Sequence, residues 1–148
     1  MYRLLLSLVA VLLSQSIWAK DYRFLQQINL PDNHSVLQVA EGENEPRSIG
    51  SYSIRLYGGH NPDFPLDDFI TGLIVAREGV VERVFNIDGN GDGIGEVVVV
   101  IRSAGSGGYL TFDVFDWQNQ QLKRIFSLSD LPPKADPVVE VKRVMRKP

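Results

Sequence analysis

The chain contains no cysteine, and that absence excludes the most. It rules out disulfide staples, thiol catalysis, Cys-ligated zinc and iron–sulfur clusters, so packing alone must hold the fold. Histidine is nearly as scarce, with two residues, His34 and His60. His34 lies in the polar turn Asn33-His34-Ser35 and His60 between Gly59 and Asn61-Pro62, both solvated loop contexts. A nucleophilic serine needs a base oriented by a third group, and neither histidine is placed for it. Gly105-Ser106-Gly107 lacks the wider pattern of a nucleophile elbow and no helix follows it. Asp67-Asp68, a paired carboxylate, sits just after Pro65 where it suits a helix cap better than acid–base work. These readings argue against an enzyme.

There is also no long apolar run. Residues 4–13 are apolar apart from Ser7, about half the roughly 20 residues that a membrane helix needs. Arg3 precedes this run and Ile17-Trp18-Ala19 ends it on a small residue before Lys20, the layout of a cleaved signal peptide over residues 1–19. No cysteine marks a lipid anchor, so no membrane attachment is expected after cleavage. The exported chain is then residues 20–148, a length that suits one domain. Of 15 Lys and Arg only Arg3 lies in the leader, leaving 14 against 18 Asp and Glu, a net charge of −4. A mildly acidic domain is a poor partner for nucleic acid. The basic tail 142–147 reads as a frayed, solvated terminus.

What is present is the period of two that marks half-buried strands. In 51–57, Tyr52, Ile54 and Leu56 alternate with Ser53 and Arg55. In 109–117, Leu110, Phe112 and Val114 oppose Tyr109, Thr111, Asp113 and Phe115. The unbroken run 97–101 reads as a central strand covered on both faces. Further strands are expected at 22–30, 35–40, 69–77, 80–87, 122–128 and 138–145, with Glu78-Gly79 at hairpin distance and a short helix beginning near 65–68. The expectation is an all-β, single-domain antiparallel β-sandwich or flattened barrel of about eight or nine strands.

Two loops stand out. In Asp88-Gly89-Asn90-Gly91-Asp92-Gly93-Ile94-Gly95-Glu96, oxygen ligands at positions 1, 3 and 5 with Gly at 6 form the first half of a calcium loop. Val99 stands where the closing bidentate Glu belongs, though Glu96 can serve a shorter loop. Asp-Gly and Asn-Gly are equally the favoured turns between strands, so a plain turn and a Ca2+ site on Asp88, Asn90, Asp92 and Glu96 both remain open. The second loop, Ser103-Ala104-Gly105-Ser106-Gly107-Gly108-Tyr109, is longer than a hairpin needs. Its glycines permit tight backbone and close approach, and its serines and tyrosine offer hydroxyls. It also fits an ordinary connection with Tyr109 packed on the sheet.

The residues 69–77, 88–100 and 101–109, ending Ile101-Arg102-Ser103-Ala104-Gly105-Ser106-Gly107-Gly108-Tyr109, resemble the periplasmic inhibitors of invertebrate-type (i-type) lysozyme. The resemblance is strong over the middle third; elsewhere it extends to length, leader and β character. It implies an antiparallel β fold, a periplasmic location and an i-type lysozyme as partner, with no cofactor required. It also implies that Ser106 and Tyr109 enter the catalytic cleft, with Gly107 and Gly108 shaping the loop and Ser103 as a second candidate serine. Members of that family form dimers, which makes a homodimer one assembly open to this chain. The competing reading is a calcium-dependent β-sandwich module for glycans or another surface ligand, with Trp117 and Tyr57 stacking on sugars.

Overall fold

A computed structural model describes residues 22–32 and 34–146. The expected leader lies outside the described residues. Eight strands follow one another as an antiparallel meander in two sheets. The first holds β1 (Leu25–Asn29), β2 (Val36–Glu41), β3 (Ile49–Tyr57) and β4 (Phe69–Glu78), in that order. The second holds β5 (Val80–Ile87), β6 (Glu96–Arg102), β7 (Leu110–Asp116) and β8 (Lys123–Leu131), likewise in order. The sheets remain separate, so the expected sandwich, not a closed barrel, is the architecture.

Alternation explains the layers. Leu37, Val39, Tyr52, Ile54 and Leu56 of the first sheet meet Val97, Val99, Ile101 and Phe115 of the second in one core. Val98 and Val100, pointing the other way from β6, join Leu110, Phe112 and Val114 in a second core. Every residue of Val97–Ile101 is buried because both faces of β6 are covered, as the unbroken apolar run predicts.

The cover on that second face corrects one expectation. Residues 138–145 are not a ninth strand but part of helix α1 (Pro137–Met145). Four valines give the segment a β-like composition, yet its start carries a helix signal. The Asp136 carboxylate accepts from the Val138 amide at 2.8 Å and the Val139 amide at 3.4 Å, and Pro137 opens the first turn. Pro137, Val141 and Met145 then recur every four residues on one face; Val141 is fully buried and Met145 packs against the sheet. Residues 142–145 of the tail are therefore ordered helix rather than frayed chain. The segment 65–68 forms turns and not a helix, with the Asp67 amide donating to the Phe64 carbonyl at 3.1 Å.

Glu78-Gly79 also departs from expectation. β4 and β5 belong to different sheets, so Gly79 is a corner and not a hairpin turn. Its φ of +117° suits glycine, and a Cβ there would stand 2.0 Å from the Arg102 carbonyl oxygen. Beside it, the fully buried Arg77 guanidinium donates to the carbonyls of Ser51 (3.0 Å), Arg47 (3.1 Å) and Gly79. It lies 3.6 Å from the equally buried Glu41 carboxylate. That carboxylate accepts from the amides of Val81 at 2.7 Å and Phe24 at 3.1 Å, and from Arg47 at 3.0 Å. One charge pair thus joins the ends of β2, β3 and β4 to the first residues of β5.

Removing Arg77 takes away one cation that faces the buried Glu41 carboxylate and leaves Arg47 as another, so the cost falls at the low end of the about 3–5 kcal/mol of a broken buried pair. Arg77→Met should therefore lower unfolding free energy by about 3 kcal/mol in urea titrations. A loss below about 1 kcal/mol would show the corner to be dispensable.

Candidate protein-binding loop

The corner supports the base of the loop between β6 and β7. Gly79 is packed against the backbone of Arg102 and Ser103, where that loop begins. The Ser103 amide donates to the Tyr109 carbonyl at 2.8 Å and closes the loop neck. Within it, the Gly108 amide donates to the Gly105 carbonyl at 3.0 Å, a turn completed by Gly108 at φ +55°. Residues 104–107 are exposed, Ser103 is half-buried, and Tyr109 is 52% exposed. The Tyr109 ring lies over Gly107, where an added Cβ would come within 2.4 Å of the ring carbon Cε2. Ser106, Gly107, Gly108 and Tyr109 are thus brought together in one closed loop, with Ser106 exposed on it and Tyr109 exposed at its neck.

Arg102 carries no role that its sequence context alone assigns. Its Nη1 donates to the Gly108 carbonyl at 3.0 Å and to the Pro133 carbonyl at 3.4 Å. Its Nη2 meets the Glu82 carboxylate at 2.8 Å. Nothing in composition or periodicity marks this contact, since it joins residues 20 positions apart.

A polar groove of about 430 Å³ runs from Ser103 and Tyr109 past the end of β4 and along the inward faces of β7 and β8. On one wall Asp113 is buried; it accepts from the Tyr52 hydroxyl at 2.6 Å and lies 3.7 Å from Arg124. Burial first, then the charge and hydrogen bond of Asp113, push the Tyr52 phenol far above its ordinary pKa. Tyr52 therefore stays a neutral donor to a buried carboxylate.

The Asp88 loop lies at the opposite end of β6 from the 103–109 loop. Its oxygens serve the backbone: Asp88 accepts from the amides of Gly91 (2.6 Å) and Gly93 (3.1 Å). Asn90 accepts from the Asp92 amide (2.9 Å), Asp92 from Ile94 (2.8 Å), and buried Glu96 from Gly89 (2.8 Å). These bonds are those of a self-satisfied turn. Among the described residues no group of three or more His, Cys, Asp or Glu is arranged to hold a metal ion. His34 and His60 are exposed and pack edge to face, 4.9 Å between ring centroids, each 3.2 Å from an aspartate. Tyr57 is buried, and half-buried Trp117 packs on the inter-sheet core and donates to the Gly95 carbonyl at 2.6 Å. Tyr57 therefore offers no open face, whereas Trp117 lines a cavity of about 250 Å³ together with His34 and His60.

The structure is thus an antiparallel β-sandwich that carries a closed, hydroxyl-bearing loop at one end. The comparisons narrow that class. The family model described as "Periplasmic lysozyme inhibitor of I-type lysozyme" matches residues 22–145, and the chain belongs to that family, one of protein inhibitors and not of enzymes. Among solved structures it is similar to PliI-Ah, periplasmic lysozyme inhibitor of I-type lysozyme from Aeromonas hydrophila, at 42% identity and a TM-score of 0.74, covering 80% of this chain and 98% of that one. It is similar as well to Aeromonas hydrophila PliI in complex with Meretrix lusoria lysozyme, at 43% identity and a TM-score of 0.74, over 80% and 95% of the two chains. The comparison with curated proteins returns no match.

The contact between Gly107 and Tyr109 yields a test that needs no partner. Gly107→Ala displaces only an exposed ring, so stability should change by less than about 0.5 kcal/mol. Tyr109 ring resonances should nevertheless move in NMR spectra. An unmoved ring would mean that Gly107 does not set its position.

Proposed function

We propose that this protein inhibits an i-type lysozyme by placing the 103–109 loop in the enzyme's catalytic cleft. Family membership supports the target class, and the display of Ser106 and Tyr109 on one exposed, internally bonded loop supports the means. A glycosidase cleft carries two carboxyl groups flanking the scissile bond. Ser106 Oγ donates to one and Tyr109 Oη to the other, so the loop occupies the space of the substrate and satisfies the groups that would act on it. Gly107 keeps the Tyr109 ring close to the loop backbone, and Ser103, half-buried at the neck, acts in closure. The ring contributes a large contact area at small entropic cost. The leader at 1–19 delivers the chain to the periplasm, where it meets lysozyme that has crossed the outer envelope. The net charge of −4 gives modest steering toward a basic enzyme.

The protein should suppress cell-wall lysis by an i-type lysozyme at near-equimolar ratio. Truncating an interface anchor costs about 2 kcal/mol or more, roughly thirtyfold in affinity. Tyr109→Ala and Ser106→Ala should each weaken inhibition on that scale with unchanged melting temperature. Undiminished inhibition by the double variant would remove the loop from the interface.

A further inference from the structure

We infer that Arg102, held by Glu82, is a positioning residue that locks the 103–109 loop into its binding shape before any target arrives. This rests on the inhibitor reading of the loop and extends it to the part of the protein that need not touch lysozyme.

Three observations carry the inference. The guanidinium fork divides its donors: Nη1 reaches the Gly108 carbonyl inside the loop at 3.0 Å, and Nη2 reaches Glu82 outside it at 2.8 Å. Arginine suits this because its donors diverge in a rigid plane, whereas a lysine ammonium is a single point of attachment. Glu82 is aimed by a local irregularity. The register of β5 on β6 shifts between Val81 and Arg83, leaving Glu82 as the extra residue of a bulge, and bulges redirect side chains. The peptide that Arg102 grips follows Gly108, which at φ +55° is the loop's left-handed residue, and it leads directly into Tyr109. Restraining that carbonyl orients the peptide that carries the ring.

The consequence is thermodynamic. A glycine-rich loop free to sample many shapes is binding-competent only part of the time, and its apparent affinity falls by that fraction. A clasp that raises the competent fraction strengthens inhibition without adding a contact. The Arg102–Glu82 pair is partly exposed, with side-chain exposures of 35% and 42%, so salt screens it.

Hydrogen exchange in the free protein tests the clasp directly. In Arg102→Ala the Ser103 and Gly108 amides should exchange about tenfold faster or more, while amides in the β6–β7 ladder keep wild-type rates. The same variant should inhibit i-type lysozyme about tenfold more weakly. Arg102→Lys should restore little of either, because one ammonium does not bridge both partners. Glu82→Ala should shift both readouts in the same direction, and adding it to Arg102→Ala should change nothing more. Should Arg102→Ala fail to fold, Glu82→Ala on an exposed side chain makes the same comparison. Unchanged loop exchange, simply additive effects, or faster exchange with undiminished inhibition would each overturn the inference. A wild-type protein that leaves i-type lysozyme active would instead refute the inhibitor reading, and the exchange rates would still decide the clasp.

Discussion

The buried Arg77–Glu41 pair at the sheet corner is the contact on which the rest of the fold depends. Elsewhere the two sheets are joined by side-chain packing, by the connection through Gly79, by the Tyr52–Asp113 hydrogen bond and by the Gln26 side chain donating to the Val84 carbonyl at 3.3 Å. Packing is non-directional and does not by itself choose how one sheet sits on the other. The guanidinium does choose, because its donors converge on carbonyls at or beside the ends of β3 and β4 while its charge partner accepts from the Val81 amide near the start of β5. In a chain without cysteine, this polar knot acts where a small exported domain often places a disulfide. Its neighbour Gly79 lets the β6–β7 loop base lie directly on the corner, so what stiffens the corner also stiffens the loop's footing.

From that footing follows a resolution of an apparent conflict in the loop. Three glycines ought to make it floppy, and ordering a floppy loop on binding consumes affinity. The structure opposes this with a closed neck, an internal turn and a guanidinium grip, leaving Ser106 exposed on the loop and Tyr109 exposed at its neck. The glycines then supply shape: a left-handed residue at Gly108 and room for the Tyr109 ring over Gly107. Flexibility in composition and rigidity in place are compatible because the Gly105–Gly108 turn is supplemented by restraints from residues that flank the glycine run.

Much of this was legible in the amino-acid order, and the part that was not has a common cause. The strands show through alternation, and β6 through its unbroken β-branched run, since both follow from local periodicity. The loop's candidate residues were visible because Ser, Gly and Tyr carry their chemistry in their type. Residues 138–145 misled because valine favours strands, and only the Asp136-Pro137 start marks the helix. Glu78-Gly79 looked like a hairpin because a corner between sheets and a turn within one use the same glycine. Arg102, Glu82 and the Asp113 groove were invisible because each depends on partners distant in the chain, which register and sheet order alone bring together.

The most direct test is a crystal structure of this protein bound to an i-type lysozyme. The account predicts residues 103–109 inside the catalytic cleft, with Ser106 Oγ and Tyr109 Oη each within hydrogen-bond distance of a catalytic carboxyl and the loop backbone unchanged from its free form. A complex formed through another face, with that loop still in solvent, would contradict it.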